Sequence, residues 1–228
     1  MVEVQSRLSL LLYQCRILFS WAYLVPAGII ILYVGSRLIS RSNSPVLTWI
    51  NLVLLLVMAF PPISALLLTP VIAEEREQRT LSIITATATP LTRIFITRFL
   101  LIQLYIVAVM ATVILLGYQL RPILDMVKLG LIAISPTLFL GLMGAAIAHL
   151  TASSLVGYVV SIGYWMLNST FSELAKQPIL RYIYLFSASH IHDEKIWQSN
   201  KLVLLTLAGC MFLLNLLLLQ KPEKMLTS

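Results

Sequence analysis

The chain has 228 residues, of which 59% are hydrophobic and 11% charged, against about 25% charged in an ordinary soluble domain. That composition marks an integral membrane protein and leaves no polar stretch near the roughly 50 residues of a small soluble catalytic domain. The balance of 16 Lys and Arg against 9 Asp and Glu gives +7, which in such a chain fits contact with membrane lipids and their anionic headgroups, so no nucleic acid is expected as a partner.

In chain order, residues 1–16 place Glu3, Arg7 and Gln14 on one narrow helical stripe, which predicts an interfacial helix. The first span is predicted at 17–36, with Trp21, Tyr23 and Tyr33 as interfacial anchors and Pro26 placed to kink it. Because this apolar run starts late and closes on no small-x-small site, no cleavable signal peptide is expected. The second span, 46–73, would be about 42 Å long as a helix, more than the roughly 30 Å hydrocarbon core. It must tilt, break or protrude, and Pro61-Pro62 and Pro70 are the places for it. The third span is predicted at 99–120, before Arg121-Pro122.

The uncharged stretch 129–172 is too long for one crossing. It divides into a fourth span, 129–148, and a fifth, 154–171, with a tight turn marked by His149, Thr151, Ser153 and Ser154. Gly141, Gly144, Ala145 and Ala148 have the small-residue spacing of close helix packing. Within 173–201 the run Tyr182–Ile191 is too short to cross and predicts a re-entrant or interfacial element. The sixth span is predicted at 202–220, before a basic tail with Lys221 and Lys224. The expected fold is thus an all-α integral membrane protein, one transmembrane domain over 1–228. It has six transmembrane helices, an N-terminal interfacial helix and a re-entrant segment before the last span. Positive charge does not orient it, because Lys and Arg divide eight and eight between the two sides.

Between spans two and three lies the segment 74–98. It contains Glu74-Glu75-Arg76-Glu77-Gln78-Arg79-Thr80-Leu81 and then Thr89-Pro90-Leu91-Thr92-Arg93. Glu75 and Arg79 have the i,i+4 spacing, acid first, that supports a helix. Thr89 and Pro90 have the residue types of an N-cap and a first helical position, so a helix is predicted to restart there.

These two runs resemble the first cytoplasmic loop of ABC-2 type transporter permeases, the membrane subunits of one class of ABC transporter. The resemblance in architecture extends over nearly the whole chain, although the motif itself occupies about 20 residues. It implies that Glu74, Glu75, Arg76, Glu77, Arg79 and Thr80 form the element that docks on an ABC ATPase subunit. Thr89, Pro90 and Arg93 would form the turn before span three, and Arg98 stands where a basic residue is usual. Arg79 departs from the glycine common at its position, and the Thr/Ala stretch before Pro90 is about two residues longer than usual. The resemblance places 74–98 in the cytoplasm, with both termini cytoplasmic, in a multi-pass protein of a bacterial inner membrane. Tyr182, Tyr184 and Phe186 would then form an outer gate. A second permease copy or paralogue is implied as a further partner.

The chain has no Gly-x-x-x-x-Gly-Lys-Ser/Thr loop, so ATP and Mg are expected on the partner subunit, with no cofactor and no enzymatic activity in this chain. The function expected is export of a substrate. Few polar residues interrupt the spans, among them Asn51, Ser64, Ser161 and Asn168, which favours a lipid-like or amphipathic one. An alternative is a membrane anchor or mechanotransmitter that acts on an extracytoplasmic partner without transport. A third reading, a metal-dependent intramembrane enzyme, would use His190, His192, Asp193 and Glu194. Two residues apart is not one helical face, so a loop end and no metal site are expected there. His149 is read as a turn residue rather than a proton relay. Asn168-Ser169-Thr170 matches a glycosylation acceptor at a span end, an accidental match on that position. Cys15 and Cys210 are read as apolar packing residues.

Overall fold

The computed structural model describes residues 49–77, 90–120, 126–187 and 194–220, with Gly28 in isolation. The rest of the first span, the interfacial helix at 1–16 and the basic tail lie outside the described residues. In lipid each backbone N–H and C=O must find its partner within the protein, which a helix provides locally. The described residues are accordingly helical and form no strand. They comprise α1 (Trp49–Leu68), α2 (Pro70–Glu77), α3 (Leu91–Leu120), α4 (Met126–Thr151), α5 (Ser154–Thr170) and α6 (Glu194–Leu219). Two 3₁₀ turns, Ser172–Ala175 and Leu180–Tyr182, follow α5.

Four stretches are long and apolar enough to cross a membrane: Leu52–Ala73, Leu91–Leu116, Val127–Thr151 and Glu194–Leu219. The protein is a helical membrane protein. With 17 residues, α5 rises about 26 Å, at the short end of what crosses the hydrocarbon core, where the sequence predicts a crossing at 154–171.

The predicted second span does break, but not at Pro61-Pro62, which stay inside α1. The interruption is at Thr69, immediately before Pro70 opens α2. Thr69 still donates its N–H to the Ala65 carbonyl at 3.0 Å, so the helix is interrupted there without losing that bond. Two further boundaries move. The third span begins at Leu91 rather than at 99, and the last at Glu194 rather than at 202. The predicted segments 74–98 and 173–201 therefore each end in two turns of a long helix. The run beginning at Tyr182 is not one α-helix, because 180–186 form a 3₁₀ turn and further turns.

α4 is the central helix, packed against α1, α5 and α6. It is buried over 72% of its span, whereas α6 is buried over 22% of its own. Glycine makes this possible. A Cβ on Gly141 would collide with Ser64 and Leu68 of α1, and one on Gly144 would collide with Thr69. A Cβ on Gly157 of α5 would sit 2.6 Å from the Gly144 carbonyl, so these backbones touch where any side chain would hold them apart. The joint between α4 and α5 is also minimal. Ala152 adopts φ 56°, and the Ser153 N–H returns to the Ala148 carbonyl at 3.2 Å, closing α4 as a left-handed C-cap with alanine in the usual glycine position.

α1, α4 and α6 run one way and α3 and α5 the other. One end of the bundle carries Val71, Phe95, His149 and Asn215, and the other Lys128, Asn168, Tyr184 and Asn200.

Candidate functional site

The first candidate region is the end at which α2 leaves the bundle and α3 enters it. Glu74, Glu75, Arg76 and Glu77 belong to the last turns of α2, which continues the apolar run Val71–Ala73 outward. Arg79, Thr80 and Thr89 lie outside the described residues. Pro90 is exposed, and its carbonyl accepts from the N–H groups of Arg93 at 2.9 Å and Ile94 at 3.4 Å. Proline thus stands immediately before the first residue of α3, where its missing N–H costs nothing. Arg93 is exposed on the first turn.

Arg98 is the residue that binds the two arms together. It is only 5% exposed, and its Nη1 donates to the Val71 carbonyl at 2.5 Å. A charge-assisted bond to a backbone carbonyl is among the stronger neutral-acceptor contacts, and here it links α3 to the start of α2. Phe95, one turn earlier, meets the His149 ring edge-on at 5.7 Å and the Phe212 ring at 6.1 Å. Phe99 adds a contact to Phe212 at 5.1 Å.

His149 is not a turn residue. It lies in the last turn of α4, 4% exposed, with Nδ1 2.7 Å from the side-chain oxygen of Asn215 on α6. The Asn215 amide nitrogen donates to Leu142 and Met211 carbonyls, at 3.2 and 2.8 Å. That leaves the amide oxygen as acceptor, so His149 carries its proton on Nδ1. Arg98, Phe95, His149 and Asn215 therefore form a continuous chain of contacts from the α2–α3 arms to α4 and α6.

The second region is the opposite end, where Tyr182, Tyr184 and Phe186 lie. Tyr184 and Phe186 are buried, with rings edge-to-face at 6.0 Å, and Tyr182 is half-buried. Burial pushes the Tyr184 hydroxyl pKa up, so it stays neutral. This segment is fastened at three points. Tyr164 of α5 donates its hydroxyl to the Ile183 carbonyl at 2.7 Å, and the Leu185 N–H donates to the Asn168 side-chain oxygen at 3.0 Å. Asn200 of α6 donates to the carbonyls of Arg181 at 2.8 Å and Tyr184 at 3.0 Å, while accepting from the Ser187 hydroxyl at 2.7 Å.

Several polar residues thus have structural work. Asn168 is 3% exposed and committed to Tyr164 and Leu185, so it offers no accessible amide for glycosylation. Ser64 packs on Gly141, and Ser161 donates back to the Gly157 carbonyl at 2.7 Å. Asn200 and Asn215 escaped the sequence reading, although a lone amide in an apolar helix is its own signal. His190, His192 and Asp193 lie outside the described residues. Glu194 is exposed, 3.7 Å from Lys128, and no group of three metal-ligating side chains occurs among the described residues. No protein-family model, curated protein or solved structure matches the chain.

Proposed function

We propose that this chain is the permease subunit of an ABC-2 type exporter, driven by a separate ABC ATPase that binds ATP and Mg. It works in a bacterial cell membrane as a pair of permeases, identical or paralogous, with both termini in the cytoplasm. The observation that carries this reading is the charged run Glu74–Thr80 followed by Thr89-Pro90-Leu91-Thr92-Arg93 between two membrane helices. Its placement is consistent with a docking element. α2 continues outward to Glu77, α3 restarts at Leu91, and Arg98 ties the arms at their base. A partner that displaced these arms would push on Phe95, and through it on His149 of α4 and Phe212 of α6. ATP-driven closure of two ATPases would in this way shift the bundle between alternative arrangements. The substrate is lipid-like or amphipathic, and the buried aromatic pair Tyr184 and Phe186, with Tyr182 beside it, forms the outer gate.

A second reading, a mechanotransmitter acting on an extracytoplasmic partner, is favoured by one observation. Ser64, Ser161 and Asn168 are all engaged in helix contacts rather than lining a path. Both readings require an ATPase partner. Affinity purification from the native membrane should recover an ABC ATPase, and recovery of the chain without one would refute both. Reconstituted with that ATPase, an exporter moves a fluorescent lipid across the bilayer on adding ATP. A mechanotransmitter hydrolyses ATP without doing so.

A further inference from the structure

The end of the bundle around Tyr184 carries Lys128, Arg181 and Lys201, and Lys201 has no carboxylate partner among the described residues. Lys201 on α6 is 6% exposed, and its ammonium has no hydrogen-bond partner. It lies over the Trp197 indole one turn earlier, with Nζ 6.0 Å from the ring centroid. Lys128, from the first turn of α4, approaches the same ring at 5.3 Å. Lys128 has a partner in Glu194 at 3.7 Å, with the two side chains 42% and 69% exposed. Arg181 lies at the same end. Asn200, adjacent to Lys201, holds its carbonyl at 2.8 Å, and its guanidinium lies over the Tyr182 ring at 5.0 Å. One arm donates to the Tyr182 hydroxyl at 3.2 Å, while its buried Nε has no acceptor.

A buried ammonium without an acceptor, that of Lys201, and a half-buried guanidinium with one enclosed N–H unpaired are costly to fold, because a desolvated charge needs an opposite charge or hydrogen bonds around it. Cation–π contact with Trp197 offsets only part of this. What is missing is an anion with several acceptor oxygens. The surroundings say which kind. Leu202, directly after Lys201, is 68% exposed, and Ile179, two residues before Arg181, is 78% exposed. Basic side chains flanked by Trp197 and Tyr182, with bare aliphatic surface beside them, have the layering of a phospholipid, headgroup beside acyl chain.

We propose that this end of the bundle is a binding site for the phosphate of an anionic phospholipid, held by Lys201 with Lys128 and Arg181 and flanked by Trp197. Both donor atoms are enclosed in the structure, so the Lys201 and Arg181 side chains turn outward to give Nζ and Nε to the phosphate oxygens, and the acyl chains run along Leu202 and Ile179. The bound lipid ties the segment at Arg181 to α4 and α6 together. This reading needs neither an ATPase nor a transported substrate.

The test uses the purified full chain and thermal unfolding. Micelles are supplemented with phosphatidylglycerol, phosphatidylcholine or inorganic phosphate, and lipid binding is titrated by native mass spectrometry. Phosphatidylglycerol should raise the unfolding temperature and bind at least about tenfold more tightly than phosphatidylcholine, since charge-assisted bonds carry the difference. Lys201→Met should abolish that preference while leaving the lipid-free protein as stable or more so, because it removes an uncompensated charge of similar volume. Lys201→Arg should retain it. Should Lys201→Met fail to insert, Lys128→Gln must weaken phosphatidylglycerol binding severalfold, and unchanged binding there would refute the site. Equal binding of both lipids, an undiminished preference in Lys201→Met, or the same stabilisation by inorganic phosphate alone would each overturn the assignment.

Discussion

His149 Nδ1 and the Asn215 side-chain oxygen, 2.7 Å apart, join the last turn of α4 to the last turns of α6 across 66 residues of sequence. Both residues are buried, and Asn215 spends its two amide hydrogens on carbonyls of α4 and of its own helix. One side chain thus holds a histidine tautomer and a helix crossing at once. In membrane proteins such interhelical bonds are worth about 0.6 kcal/mol on average and up to about 1.7 kcal/mol.

Asn215→Leu should therefore lower stability by about 1–1.7 kcal/mol, at the upper part of that range, because His149 Nδ1 loses its acceptor as well. Unfolding of the purified protein in mixed micelles measures it. In a double-mutant cycle with His149→Phe the coupling should be positive, and additive effects would show that the contact contributes nothing.

The second expectation concerns glycine. Gly157→Ala should destabilise by about 1–3 kcal/mol, since its Cβ would press into the Gly144 carbonyl, which cannot rotate away. Gly163→Ala, on the same helix with nothing near its Cβ, should be neutral or slightly stabilising through helix propensity. The pair is measured by the same unfolding assay. Equal effects would mean that the α4–α5 contact is looser than described.

These contacts show what the sequence made legible. Uninterrupted apolar runs announce helices, and Gly141 and Gly144 announce close packing by their spacing. Thr89-Pro90 announces the start of α3 within a residue. Charge misled at the boundaries. Arg98 and Lys201 were natural places to end an uncharged span, yet both fold inside helices. Arg98 does so because Val71 presents a carbonyl to it, and Lys201 lies with its ammonium over the Trp197 ring. Partners supplied by another helix cannot be read from local pattern, and the same blindness hid Asn200 and Asn215.

Reversal of charge at Glu74 and Glu75 together to Lys should leave expression and insertion intact but uncouple the proposed ATPase from the membrane subunit. Charges at a helix end contribute little to folding, with surface pairs worth about 0–1 kcal/mol. At a contact with a basic groove the same change turns attraction into repulsion. ATP-dependent activity of the reconstituted complex should fall at least about tenfold at matched membrane levels. Full activity would remove these residues from the interface.

The last expectation concerns the side of the membrane reached by residues 172–199. Ser172 opens the first 3₁₀ turn, Ser199 lies in the second turn of α6, and both are exposed at the Tyr184 end of the bundle. Between them, Asn168 and Asn200 grip the segment at Leu185 and Tyr184, which holds it against one end of α5 and α6. Without six extra turns of helix it has no means of reaching the other surface, given about 1.5 Å of rise per residue and a core of about 30 Å. Cysteine at Ser172 and at Ser199, in a background lacking Cys15 and Cys210, should both react with a membrane-impermeant thiol reagent added from outside. If one reacts from outside and the other only after the cytoplasmic face is opened, the segment is a true crossing. The C-terminus would then lie opposite the end assigned to it.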